Sequence, residues 1–459
     1  EYASVLTTFG RARYVEYVSA TVMKAVVETP FFDLTPVVAG GWESEHGYED
    51  TWSNTRGWPR SSCFHEGRLY FGGSKTRSNT LWGSRTIDYF NFEPGTGLDN
   101  ESVEATINAA QLNAIVNVVS ASNLRIFTTG GEFIIQQSEN AAITPANFLV
   151  RPQTQLGSKP GLPIEDLNGA SVFIQRQGKT LNAFQYTDST AQYQVQSLSV
   201  LSSHLLKTPT DIASVRATST DEADKIFIVN GEDGSLAVYS ILIGQNVIAP
   251  SRFTTLGTFE AVGVDVSDVY VIVKRTVGSL STSYNLEKFD STYLLDSSRK
   301  GTSFPASTVA AGLWVRVGAT VSTVRDGLVD PTQVLPNTSV VTFPSPATAS
   351  WEIGYDFTVT AKTMPAEPTL SSGSTQGVQK RILQVDALVH NTQNLKINNQ
   401  SIAFRNFGQA TDTPILEFTG TKTAHALLGY TKSGQITLTQ SAPLKMNVLG
   451  LEYKMSVGN

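Results

Sequence analysis

Five histidines, His46, His65, His204, His390 and His425, are the residues of this sequence suited to proton transfer or metal ligation near neutral pH. They are scattered, with no HxH or HExxH spacing, and the single cysteine, Cys63, completes no Cys/His ligand set. Cys63 falls between Trp58 and Phe64, the setting of a small buried hydrophobe rather than a nucleophile. No GxSxG elbow stands with His and Asp in a usable layout. No Walker loop or GxGxxG occurs, and Gly72-Gly73 and Gly130-Gly131 read as turns. Asp221-Glu222-Ala223-Asp224 and Glu232-Asp233 put oxygen ligands on both sides of one hairpin, but without EF-hand spacing they read as solvated turns. Carboxylate pairs for glycoside hydrolysis need proximity in space, not in sequence, so that chemistry stays open. Trp42, Trp52, Trp58 and Trp82 offer ring faces for sugars, although core packing is the economical use of such side chains. The expectation is a chain that is not an enzyme, with no catalytic, cofactor-binding or metal-ligating residue and no cofactor.

The elements that carry these residues repeat. Arg68-Leu69-Tyr70-Phe71, the turn Gly72-Gly73 and the return Thr80-Leu81-Trp82 form a β-hairpin with aromatic corners. The layout recurs at Leu124–Phe127 with Phe133–Ile135, at Ser171–Ile174 with Leu181–Tyr186, at Lys225–Val229 with Leu236–Ile241, and at Val269–Val273 with Tyr284–Phe289. Markers Leu69, Ile126, Phe173, Phe227 and Val271 are 57, 47, 54 and 44 residues apart. That is close to the spacing of four-stranded propeller blades, roughly 40 to 50 residues each. One hairpin cannot bury both its faces, so radial stacking of neighbours is the economical core.

The expected fold is therefore all-β: a β-propeller with an additional C-terminal β-sandwich-like domain. The division is 1–50 as an N-terminal β segment, 51–300 as the propeller and 301–459 as the sandwich, whose last strands could return to the propeller. Tyr14–Thr29, rich in valine, reads as strand. Asn100–Val118, with a capping Asn100 and the early acids Glu101 and Glu104, reads as one connecting helix. Asp326-Gly327 reads as a sharp turn between short strands.

Composition narrows the function class. Charged residues make up 16% of the chain and hydrophobic residues 40%. Hydroxyl, amide and glycine residues take up the difference, which suits a subunit packed among others. The net charge of −6 and the absence of a basic run beyond Lys380-Arg381 argue against an electrostatic nucleic-acid binder. No apolar run approaches the roughly 18 residues of a membrane span. The chain opens at Glu1 with neither Met nor an apolar leader, as a processed or truncated product would.

One ordered series is more specific than any of its parts. Arg56-Gly57-Trp58-Pro59 is followed by Phe64, Arg68-Leu69, Phe71-Gly72-Gly73, Leu81-Trp82-Gly83-Ser84 and Asn91-Phe92. It continues through Leu124, Thr128, Glu132, Ile143–Asn147, Gln153-Thr154, Gly157, Val172–Gly178, Leu198 and His204-Leu205. Asp233-Gly234, Trp351–Gly354, Lys380-Arg381, Phe418–Gly420 and Pro443-Leu444 complete it. The series resembles the tail nozzle, or tail tubular protein B-like, subunits of podovirus-type tailed bacteriophages. Members carry an additional N-terminal region ahead of the part that this chain matches.

The resemblance implies a structural virion component, assembled in the host cytoplasm and resident in the phage tail. It would self-associate into a ring, usually a hexamer, around the DNA-ejection channel. Its partners would be the portal and adaptor proteins above it and tail fibres, with duplex DNA in transient passage and no membrane span. A carbohydrate-binding or glycoside-hydrolysing propeller acting on host surface glycans is the alternative, and an unrelated scaffold propeller is a third.

Overall fold

The computed structural model describes residues 1–459 apart from 1, 6–7, 32–34, 36–41, 44–50, 95–96, 109–112, 136–141, 189, 220–221, 243–244, 246, 277–281, 305–317, 336–339, 371–372, 426–428 and 459. The chain is all-β, and Ser203–Leu205, a single 3₁₀ turn, is the only helix among the described residues. It divides into two compact units, Glu1–Pro160 and Gly161–Asn459.

The first unit opens with a sheet of Tyr2–Val5, Thr8–Ser19, Val22–Thr29 and Trp42–Glu43. Its long hairpin, turning at Ala20-Thr21, is the strand pairing expected of the valine-rich stretch. Two antiparallel four-stranded meanders follow. The first blade comprises Ser61–His65, Arg68–Gly72, Thr80–Gly83 and Val103–Thr106, and the second Ile115–Ser120, Leu124–Thr128, Glu132–Ile135 and Val150–Thr154. Their facing surfaces share one core, in which Tyr70, Leu81 and Val103 meet Ile115, Leu124, Ile126 and Phe133.

The second unit continues the series. The third blade is Glu165–Leu167, Ala170–Ile174, Leu181–Thr187 and Gln192–Ser197, and the fourth is Pro209–Val215, Asp224–Asn230, Leu236–Leu242 and Val247–Phe253. The fifth has three strands, Thr258–Asp265, Asp268–Arg275 and Ser283–Lys288. Val172, Ile174 and Leu181 pack on Ile226, Ile228 and Tyr239, while Phe227, Val229 and Val238 pack on Phe259, Val271 and Val273. The fourth blade is thus buried on both faces, which is why its central strands are almost continuously apolar.

All five expected hairpins are present, and four of them are the central pair of a blade. Leu69, Phe173 and Phe227 lie in three different sheets, as serial blades require. The propeller-type architecture thus rests on repeated meanders stacked face to face within each unit.

Beyond the blades, Asp296–Phe304, Ala347–Tyr355, Thr320–Arg325 and Leu328–Val329 form a sheet in which Asp326 (φ 49°) and Gly327 (φ 78°) make the expected tight turn. The sandwich follows. One sheet holds Val359–Lys362, Thr437–Gln440, Lys396–Ile397 and Gln400–Ser401, and the other Phe418–His425, Lys380–Thr392 and Val448–Val457. Val385, Ala387 and Val389 of the second sheet share a core with Ile397 and Leu438 of the first. Val448–Val457 pairs along Lys380–Thr392 within the second of these sheets.

The helix expected at Asn100–Val118 is corrected. Val103–Thr106 is the outer strand of the first blade and Ile115–Ser120 the first strand of the second. Glu101 serves no helix end: its carboxylate accepts the N–H groups of Gly97 (2.6 Å) and Leu98 (2.8 Å). Burial of Val103, Ile107, Ile115 and Val118 in the inter-blade core outweighs the weak helix preference of the alanines between them.

Candidate functional site

The residues picked out for chemistry do not converge. His65 lies in the first blade, His204, His390 and His425 are exposed at separate places in the second unit, and His46 lies outside the described residues. His65 Nδ1 and Ser120 Oγ are 2.9 Å apart, which brings together a serine and a base. The other ring nitrogen is buried with no hydrogen-bond partner, so no carboxylate orients the imidazole as a catalytic triad demands. Burial also lowers the His65 pKa, with Glu66 opposing more weakly. Burial pushes the Cys63 thiol up to about 12, which keeps it protonated and unreactive as the packing reading expects. Among the described residues no group of three or more His, Cys, Asp or Glu could hold a metal ion.

The carboxylates are occupied as clamps on backbone and cations. Asp224 accepts Asn168 Nδ2 (2.6 Å) and the Ala217 N–H (2.7 Å). Glu222 accepts the Thr218 hydroxyl, and Asp221 lies outside the described residues. Asp233 binds Lys207 and Arg252, each at 2.9 Å. Burial alone would raise its pKa, but hydrogen bonds from Ser235 and Lys207 prevail and bring it to about 2. Among the described residues, the acidic hairpin is thus a turn whose Asp233 is neutralised by two cations.

Glu352, buried, receives the N–H groups of Leu294 and Leu295 at 2.8 Å each. Asp326 receives those of Thr348, Ala349 and Ser350, which hold its carboxyl far below the ordinary range despite some burial. Glu287 and Asp296, the acids brought to one cation, are tied to the guanidinium of Arg275. That arrangement spends both carboxylates on structure.

The tryptophans separate by burial. Trp52 sits edge-on to Phe71, Trp82 and Phe92, with ring centroids 5.1, 5.5 and 5.4 Å away. Trp82 is 4% exposed, whereas Trp58 is 61% exposed and donates its ring N–H to Asn54 at 3.3 Å. The expectation that both Trp58 and Trp82 are core residues therefore holds for Trp82 alone. Pro59 and the turn at Gly57 send the Trp58 ring outward, and sequence spacing carries no sign of that direction. The Trp42 side chain lies outside the described residues.

Trp82→Ala is expected to cost about 3–5 kcal/mol, the range for emptying a packed aromatic site. Trp58→Ala is expected to stay within about 0.5 kcal/mol, as surface substitutions do. Denaturant melts of the two variants check this, and equal losses would contradict the burial argument.

What remains unassigned is apolar β surface. In the hairpin of Thr8–Ser19 and Val22–Thr29, Val15, Tyr17, Val18, Val22, Met23, Val26 and Val27 are all about half exposed or more. Consecutive residues of a strand point to opposite faces, so both faces of this ribbon are apolar and wet. On the fifth blade, Tyr284 (64%) and Leu286 (73%) line the open edge strand. Valine content foretold the ribbon as strand, but its exposure on both faces, among the described residues, follows only from the fold.

No protein-family model matches the chain, and no curated protein does. Among solved structures, the exo-β-1,3-galactanase of Phanerochaete chrysosporium is 8% identical over 86% of this chain and 95% of its own, with a TM-score of 0.27. A protein from Lactobacillus plantarum is 8% identical over 76% of this chain and 98% of its own, at 0.30. A luciferin-regenerating enzyme is 11% identical over 45% and 80%, at 0.21. Likeness of this degree assigns neither substrate nor activity to this chain.

Proposed function

We propose that this chain is a non-catalytic, ring-forming structural subunit of the tail nozzle type, a conduit past which duplex DNA moves. The observation that carries the reading is the half-exposed apolar ribbon from Val15 to Val27, a surface that water does not favour and another polypeptide would cover. The clamped carboxylates and the ordered series from Arg56 to Leu444 support it. A protein of net charge −6 has little with which to hold a polyanion, so DNA slides rather than sticks. Virion location, a hexameric ring and contacts with portal, adaptor and fibre proteins belong to the same proposal.

The test pairs assembly with chemistry. Native mass measurement should give a closed homo-oligomer, and duplex DNA should bind no tighter than the non-specific range of roughly 10⁻⁴–10⁻⁶ M at physiological salt. Cleavage of host-type surface oligosaccharides by a monomeric protein, abolished by one Asp or Glu substitution, would establish the glycosidase reading instead.

A further inference from the structure

We infer that the ribbon of one copy docks as an added strand on the open edge of the fifth blade of the next copy, which makes the subunit contact heterologous. The inference rests on the ring-forming reading above and says how the ring closes.

The blade supplies the receptor. Four blades are four-stranded among the described residues, whereas the fifth stops at Ser283–Lys288, one strand short. Along that strand, side chains alternate between half-buried Ser283, Asn285 and Glu287 and exposed Tyr284, Leu286 and Lys288. The unpaired main chain of an edge strand is a template for one more strand, and Tyr284 and Leu286 give that strand an apolar neighbour.

The ribbon supplies the strand. Val22–Thr29 pairs on one side with Thr8–Ser19 and, among the described residues, has no strand partner on its other side. It is eight residues long against six in the receptor, long enough to cover it in full. Within the hairpin, Tyr2–Val5 pairs only with Thr8–Arg11, so the rest is a two-stranded ribbon, which is at best marginally stable in water and gains from a further strand. Val22 and Val26 fall on one face and Met23 and Val27 on the other, so an apolar row meets Tyr284 and Leu286 whichever face turns to them.

Charge is compatible with a second copy as the occupant. Lys24 is neutralised by Glu16 at 2.7 Å on the ribbon, and Lys288 by Asp268 at 2.6 Å on the blade. Among the described side chains, these two lysines therefore enter the contact already compensated. The ribbon also lacks the cluster of basic residues that an anionic membrane surface would select. A ribbon-to-edge contact joins two different patches, and repetition of such a contact generates a ring when the rotation closes.

The experiment uses the full chain in two variants whose substituted residues are all about half exposed or more: Val22→Lys/Val26→Lys on the ribbon and Tyr284→Lys/Leu286→Lys on the blade edge. Melting temperatures should stay near that of the wild-type monomer, and native mass spectrometry should find each variant monomeric where the wild type is oligomeric. An equimolar mixture should yield a heterodimer and nothing larger, because one intact edge meets one intact ribbon. A ring that persists in either variant, or a mixture that remains monomeric, overturns the inference while the ring-forming reading stands. A monomeric wild type overturns both.

Discussion

Arg275→Met lowers stability by about 3 kcal/mol, at the lower end of the roughly 3–5 kcal/mol for breaking a buried ion pair. Arg275 is 1% exposed in the fifth blade. Its guanidinium grips Glu287 through two bonds of 2.8 and 2.7 Å, reaches Asp296 at 3.4 Å and donates to the Leu256 carbonyl at 2.7 Å. The Tyr355 ring lies 5.5 Å from the guanidinium carbon. Burial alone would lower the Arg275 pKa, but the bond to Glu287 and the charges of Asp296 and Glu287 leave it above its ordinary value. The residue thus stays cationic throughout the working pH range and fastens blade strands to the Asp296–Phe304 strand of the following sheet.

Methionine fills the volume but leaves two carboxylates without their cation. Glu287 and Asp296 are 19% and 25% exposed, so water compensates in part, which sets the lower end of the range. At about 2–4 °C per kcal/mol, the melting temperature should fall by roughly 6–12 °C. Adding Glu287→Gln and Asp296→Asn should restore much of that loss, since neutral partners need no cation. A single variant that melts with the wild type would remove this cluster from the account of stability.

How much of this was legible in the sequence depends on what decides each feature. The five hairpins were, because burial on both faces makes strands such as Asp224–Asn230 apolar without interruption from Ile226 to Val229, and such runs survive in sequence as blocks. Outer strands such as Val247–Phe253 are mostly exposed and carry no pattern, so no blade could be read with all its strands. The false helix arose where capping signals at Asn100–Glu104 coincided with a loop. Local propensity and tertiary burial there point to different structures, and burial decides. The gathering of Glu287 and Asp296 could not be read at all, because the two converge only through the folded position of Arg275.

The residues of the first resemblance motif turn out to be a frame. Phe71, Trp82 and Phe92 pack around Trp52. The Ser84 hydroxyl accepts the Leu69 N–H at 3.0 Å. Arg68, 2% exposed, has no carboxylate within its reach among these contacts; it donates to the carbonyls of Ser84 (2.6 Å), Glu101 (2.5 Å) and Asp99 (2.6 Å). Burial lowers its pKa, with Tyr70 opposing. One side chain thereby pins both ends of the 84–101 connection to the first blade.

Arg68→Ala is therefore expected to cost roughly 4 kcal/mol: hydrogen bonds to a charged donor are worth about 1.5–3 kcal/mol each but do not add, and relief of the buried charge offsets part of the loss. Arg68→Lys should recover less than half, because an ammonium has no planar fork with which to reach three carbonyls at once. The distinguishing readout is local. Amide exchange should quicken across 84–101 and along Arg68–Gly72 in the alanine variant, while the sandwich core around Val385 and Val389 keeps its protection. Equal loosening of both regions would mean that Arg68 acts on the whole fold and not on the loop that its guanidinium holds.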